Sequence, residues 1–175
     1  MKTNTIALAL AFDSSTLILT AKIEVLGSFL ESVDFQASVP TEVARESCAV
    51  KKSLDALFIQ KAIDESKISV RAVKDRKFVM KLRRDFGLGV GEAEAIVLAQ
   101  SEKAILVGID DKNGINACKL LGLPFTTAIG ILIRMHEKQL LALEEALTKL
   151  RILAKHGRYK QSILDDAKRK LEFRT

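Results

Sequence analysis

The chain is 175 residues long, 48% hydrophobic and 29% charged, which suits one folded domain and excludes a disordered chain. Its 28 Lys and Arg outnumber 22 Asp and Glu for a net charge of +6, a balance that suits a polyanionic partner. Cys48 and Cys118 give neither a metal-ligand spacing nor a disulfide framework, and no apolar run approaches the ~18 residues of a membrane span. A soluble cytoplasmic protein with no membrane partner is therefore expected, and Asp13 interrupts the first apolar run in a way that argues against a signal peptide.

In chain order, residues 6–12 form a continuous apolar run of strand length, as a strand buried on both faces requires. It stops at Asp13, and Ser14 and Ser15 offer caps for a helix over 17–26. Val33, Phe35, Ala37 and Val39 alternate as in a short strand, closed by Pro40 and Thr41, which open another helix. Leu54, Leu57, Phe58 and Ala62 fall at helical spacing within 53–63. Residues 67–73 read as a strand and 74–86 as a basic helix.

Residues 87–91 read as a glycine-rich loop before a helix over 92–102. The loop is no P-loop, since no Gly-Lys-Ser/Thr follows. A second all-apolar strand at 105–109 ends in Asp110 and Asp111, Asn113 and Gly114 mark a turn, and Gly122 stops the helix that follows. Residues 123–127 look like a last strand. From Ile129 onward the pattern is helical, broken near His156 and Gly157, with a leucine stripe at 140, 143, 147, 150 and 153 that reads first as core, with a dimer face or partner groove as alternatives. His136 and His156 are isolated and read as packing or surface residues.

Strands alternating with helices predict a mostly parallel sheet covered on both faces, and ligands collect at the carboxyl ends of such strands. Both apolar strands end in aspartate, so Asp13 and Asp110 should share one edge of the sheet. Glu42 and Glu46 lie one turn apart after Pro40, and Glu92 and Glu94 open the helix after the glycine loop. Each could be an ordinary acid at a helix start, worth about 0.3–1 kcal/mol there. If the acids converge, like charges ~4 Å apart repel by about 4 kcal/mol at an effective dielectric of 20, which a divalent cation would offset. Oxygen-only ligands suit Mg²⁺ or Mn²⁺, and such ions serve phosphodiester hydrolysis. The positive charge is concentrated in 51–86 and 151–175, with local excesses of six and five. Within it, Lys81, Arg83 and Arg84 are candidate nucleic-acid contacts.

Phe12-Asp13-Ser14-Ser15 after the first strand, Val39-Pro40-Thr41-Glu42-Val43-Ala44-Arg45-Glu46, Gly91-Glu92-Ala93-Glu94-Ala95 and Ile109-Asp110-Asp111-Lys112 resemble the PIN domain. The closer likeness is to its prokaryotic VapC-like branch with the Gly-Glu-Ala-Glu-Ala signature. The resemblance implies a Rossmann-like three-layer α/β/α fold with a mostly parallel sheet. A nuclease domain over 1–141 and a helical extension over 142–175, packed on that domain, are expected. It further implies a Mg²⁺- or Mn²⁺-dependent ribonuclease, with RNA as substrate, a small antitoxin as partner and homodimerisation. Carried over residue by residue, Asp13 and Glu46 fill the first two acidic stations. Glu92 or Glu94 fills the third, and Asp110 or Asp111 the fourth, Asp110 being favoured because it directly ends its strand. Ser15 would orient Asp13 or simply cap the helix. Asn113, Asn116 and the Thr126-Thr127-Ala128 segment depart from the branch pattern. A non-catalytic RNA-binding or scaffold module is the alternative reading.

Overall fold

A computed structural model describes residues 9–49 and 53–173. The chain opens with β1 (Ala9–Phe12), α1 (Ser14–Lys22), α2 (Leu26–Glu31), β2 (Gln36–Pro40) and α3 (Thr41–Ser47). It continues through α4 (Leu54–Asp64), β3 (Ile68–Arg71), α5 (Arg76–Phe86), α6 (Val90–Ser101) and β4 (Leu106–Gly108). It ends with α7 (Lys112–Leu121), β5 (Phe125–Thr126), α8 (Ala128–Glu137), α9 (Leu143–His156) and α10 (Gln161–Glu172). The first strand was expected over 6–12; its positions 6–8 lie outside the described residues.

All strands are parallel, in the order β3-β2-β1-β4-β5. The chain winds from β1 outward through β2 to β3, then crosses back so that β4 pairs with the opposite edge of β1. That reversal makes a crevice at the carboxyl ends of β1 and β4, where open α/β sheets bind ligands. β1 is buried along its length because it is hydrogen-bonded on both edges and covered on both faces. Its side chains divide between two cores: Leu10 and Phe12 pack with α1, α8, α9 and α10, whereas Ala11 packs with α5, α6 and α7. The three-layer α/β/α arrangement expected from the sequence is the architecture observed.

Several boundaries depart from the sequence pattern for local reasons. The helix expected over 17–26 is two helices, divided where Glu24 takes a left-handed conformation at φ 56°. The glycine loop is shorter than expected, since α6 begins at Val90 and includes Gly91. Asn113 and Gly114 do not form a turn. They lie in the first turn of α7, because the Asp111 carboxylate accepts from the amides of Asn113 (2.7 Å) and Gly114 (3.1 Å) and so caps that helix. Gly114 packs closely there: a Cβ at position 114 would stand 2.3 Å from Ile109 Cδ1, so a larger residue would have to displace that side chain.

The C-terminal helices share the main core. Leu150 and Leu153 of α9 and Ala167 and Leu171 of α10 are buried in the same cluster as Phe12 and Leu132, with Leu143 and Leu147 packed against it. The leucine stripe is thus largely core, and only Leu140 stands half exposed. Among the described residues no helix is long and apolar enough to cross a membrane.

Candidate metal centre

The crevice is built from strand ends. Asp13 follows β1 directly, its amide donating to Gly108 O of β4 at 2.9 Å. It is the N-cap of α1, where Oδ1 accepts from the Thr16 amide at 2.7 Å. The residue is fully buried, and its other oxygen, Oδ2, has no hydrogen-bond partner. An ionised carboxylate without solvent or partner is costly. Burial, reinforced by the negative charges of Asp110 and Glu92, pushes its pKa up to about 8.

Asp110 follows β4 after Ile109, one residue further from the strand than the sequence pattern expects, and meets Asp13 across the switch point. Its Oδ2 accepts from the Ala128 amide at 2.9 Å, at the start of α8, and its Oδ1 accepts from the hydroxyl of Tyr159. Burial raises its pKa, and those two hydrogen bonds pull it back down. The Thr16 hydroxyl stands beside both aspartates, buried and without a partner of good geometry.

Glu92, in the first turn of α6, accepts from the Gly89 amide at 2.9 Å. Partial burial raises its pKa, with the charges of Asp111 and Glu46 adding to the effect. Glu46 is held by the Ser14 hydroxyl, which donates to its Oε2 at 2.6 Å. Gly91 makes that placement feasible, since a Cβ there would stand 2.7 Å from the same oxygen. Five of the acids singled out by sequence (Asp13, Glu46, Glu92, Asp110 and Asp111) therefore lie around one cup.

Glu94 does not join them. Two positions along a helix from Glu92 it faces another way; it is buried and ion-paired with Arg76 of α5. Ser15 makes no hydrogen bond to Asp13 and lies on a groove wall instead, while Ser14 is the serine that engages an acid. Lys81 and Arg84 pair with Asp85 on exposed α5, and with Arg83 they stand apart from the groove that opens on the acids.

Two residues were missed. Thr16 carries no signal beyond its place in the first turn after Asp13. Tyr159 is the single tyrosine of the chain, 49 positions beyond Asp110, and only the packing of α9 and α10 brings its ring to the cup.

The acids are neighbours and not a finished chelate. Among the described residues no three His, Cys, Asp or Glu side chains already form a metal-holding group. Asp110 uses both oxygens on protein donors and Glu92 and Glu46 one each, so a cation would draw them inward by side-chain rotation. The donor chemistry fits a hard divalent ion nonetheless. All candidate ligands are oxygens, and the buried, partnerless Asp13 Oδ2 is the atom a cation would satisfy.

Sequence comparison agrees with this geometry: residues 9–172 match the PIN domain. The chain belongs to the PIN domain family. Nucleases that act on nucleic acids with divalent cations are typical of PIN domains, and the match includes the whole of α9 and α10. No curated protein matches the chain closely enough to add a relative.

Proposed function

We propose that this PIN domain is a Mg²⁺- or Mn²⁺-dependent ribonuclease that hydrolyses RNA phosphodiester bonds at the cup around Asp13. The observation that carries the reading is Asp13 itself, fully buried with Oδ2 unsatisfied beside two further carboxyl groups of raised pKa. Natural proteins bury such a group at a strand end where its charge has a use.

Asp13 and Asp110 would hold the ion, with Glu46, Glu92 and Asp111 reaching it from the rim. A divalent ion supplies a more acidic water and neutralises charge developing on the phosphate. The chain's own part is orientation. The Thr16 amide fixes Asp13, Tyr159 and the Ala128 amide fix Asp110, and Ser14 fixes Glu46. Glu92, half buried with a raised pKa, is the carboxyl placed to take a proton from the attacking water.

Purified protein with Mn²⁺ should cut end-labelled single-stranded RNA, stop on addition of EDTA, and lose activity on Asp13→Asn or Asp110→Asn. Equal cutting by wild type and Asp13→Asn would identify a contaminant and refute the proposal. A non-catalytic RNA-binding role is the second reading, favoured by the Tyr159 hydroxyl on Asp110, which takes a lone pair that a cation would otherwise use. It predicts RNA retention with no cleavage in either metal.

The finer form of the proposal, carried by the VapC-like resemblance, is a cytoplasmic toxin held by a small antitoxin and acting as a homodimer. Expression of the wild-type chain then arrests growth where Asp13→Asn does not, and light scattering gives a dimer mass.

A further inference from the structure

The groove that opens on the cup has a volume of 960 Å³ and runs between α1, α7 and the segment joining α9 to α10. Its floor includes Glu92, Asp110 and Asp111. Its lining is basic on both sides of the sheet edge: Lys112 and Lys119 of α7, and Lys22 of α1 with Arg158, Lys160 and Lys170 from the face that α1 shares with α10. Lys22 and Lys170 are paired with Asp55 and Asp166, and Lys119 lies over the Phe125 ring at 6.0 Å. Lys112, Arg158 and Lys160 are exposed and have no acidic partner among the described residues.

We propose that this groove binds the sugar-phosphate backbone of single-stranded RNA, and that Arg158 and Lys160 of the C-terminal arm are phosphate contacts of the nuclease. The inference deepens the ribonuclease reading and rests on it for the identity of the ligand.

Placement, more than charge, distinguishes this pair from the rest of the basic surface. Tyr159 stands between them, and its hydroxyl is bonded to Asp110. That tether sets Arg158 and Lys160 at a fixed reach from Asp110, the acid just beyond β4. Gly157 lets the ring pack back, because a Cβ there would stand 2.2 Å from Tyr159 Cε2. A backbone lying between the walls would bring a phosphate over the acids while neighbouring phosphates meet the cations. The basic helix α5, which composition alone singled out, holds Lys81 and Arg84 in ion pairs with Asp85 and lines no part of the groove.

The test uses the full chain in EDTA and a fluorescein-labelled oligouridylate of about twelve nucleotides, a length within the usual single-strand site size. Anisotropy is read over a salt series. Arg158→Glu/Lys160→Glu should weaken binding by at least about tenfold and flatten the dependence of log K on log salt by about 0.7 for each phosphate no longer neutralised. Lys112→Glu on the opposite wall should do the same for one phosphate, while Lys81→Glu/Arg83→Glu on α5 should leave affinity and slope unchanged. All the substituted positions are exposed, so unchanged thermal melting confirms that each variant folds. Equal affinity of the arm variant and wild type, weakened binding in the α5 variant alone, or no binding by wild type at low salt overturns the proposal. Binding is read without metal or cleavage, so a chain that binds through the arm and never cuts would refute the nuclease reading and leave this one standing. Cleavage with arm-independent binding would do the reverse.

Discussion

Glu92 and Glu94 differ by two positions in sequence and by everything that matters chemically. Glu92 sits at the helix mouth against the Gly89 amide and other acids, whereas Glu94 is buried against Arg76. Glu94→Gln removes a buried charge from its partner and should cost about 1–3 kcal/mol in urea unfolding while leaving Mn²⁺ affinity intact. Glu92→Gln should do the opposite, and affinity loss confined to Glu94→Gln would reverse the assignment. Asp13 makes stability depend on pH. Its unfolded pKa is the ordinary 3.8 and its native pKa about 8, so the metal-free native state binds the extra proton between those values. Its contribution to stability is fully present below about pH 4 and is lost as pH rises through about 8. Asp110 and Glu92, also raised, act in the same direction. In EDTA the wild type should therefore lose stability between about pH 5 and 8.5 more steeply than Asp13→Asn; parallel profiles would show that the burial of Asp13 does not set its protonation.

At the scale of elements, the cup depends on close approaches that only glycine permits. Gly91 brings α6 against the Glu46 carboxylate of α3, with Val43 Cγ2 3.3 Å from the place of a Cβ. Gly91→Ala should push Glu46 outward, lowering Mn²⁺ affinity several-fold at a stability cost of about 1–3 kcal/mol. Unchanged metal affinity would exclude Glu46 from the ion's ligands. The elements were legible in sequence wherever the pattern was set by burial on both faces, as in β1, or by a strong local stop, as at Gly122, which takes φ 66°. They were misread where a side chain overrode propensity. The Asp111 carboxylate recruits Asn113 and Gly114 into α7, a dipeptide that otherwise signals a turn. The convergence of Asp13 and Asp110 was readable because parallel strands put their ends on one edge. Tyr159 and the basic arm were not, since their place depends on how α9 and α10 pack, which no local pattern encodes.

Across the whole molecule, charge and topology divide the work. The reversal between β1 and β4 makes a low-dielectric pocket in which acids are held at raised pKa, and the C-terminal arm closes it with Tyr159 and basic side chains. A ligand that binds only the native state adds RT ln(1 + [L]/Kd), about 2.7 kcal/mol at a hundredfold excess over Kd. Everything proposed for the cup requires that Asp13 and Asp110 hold one divalent cation in common. Calorimetric titration of Mn²⁺ into the metal-free full chain at about pH 8 decides this. Wild type should bind saturably with proton release, and both Asp13→Asn and Asp110→Asn should lose that binding. Saturable binding that survives either substitution unchanged would refute the shared site.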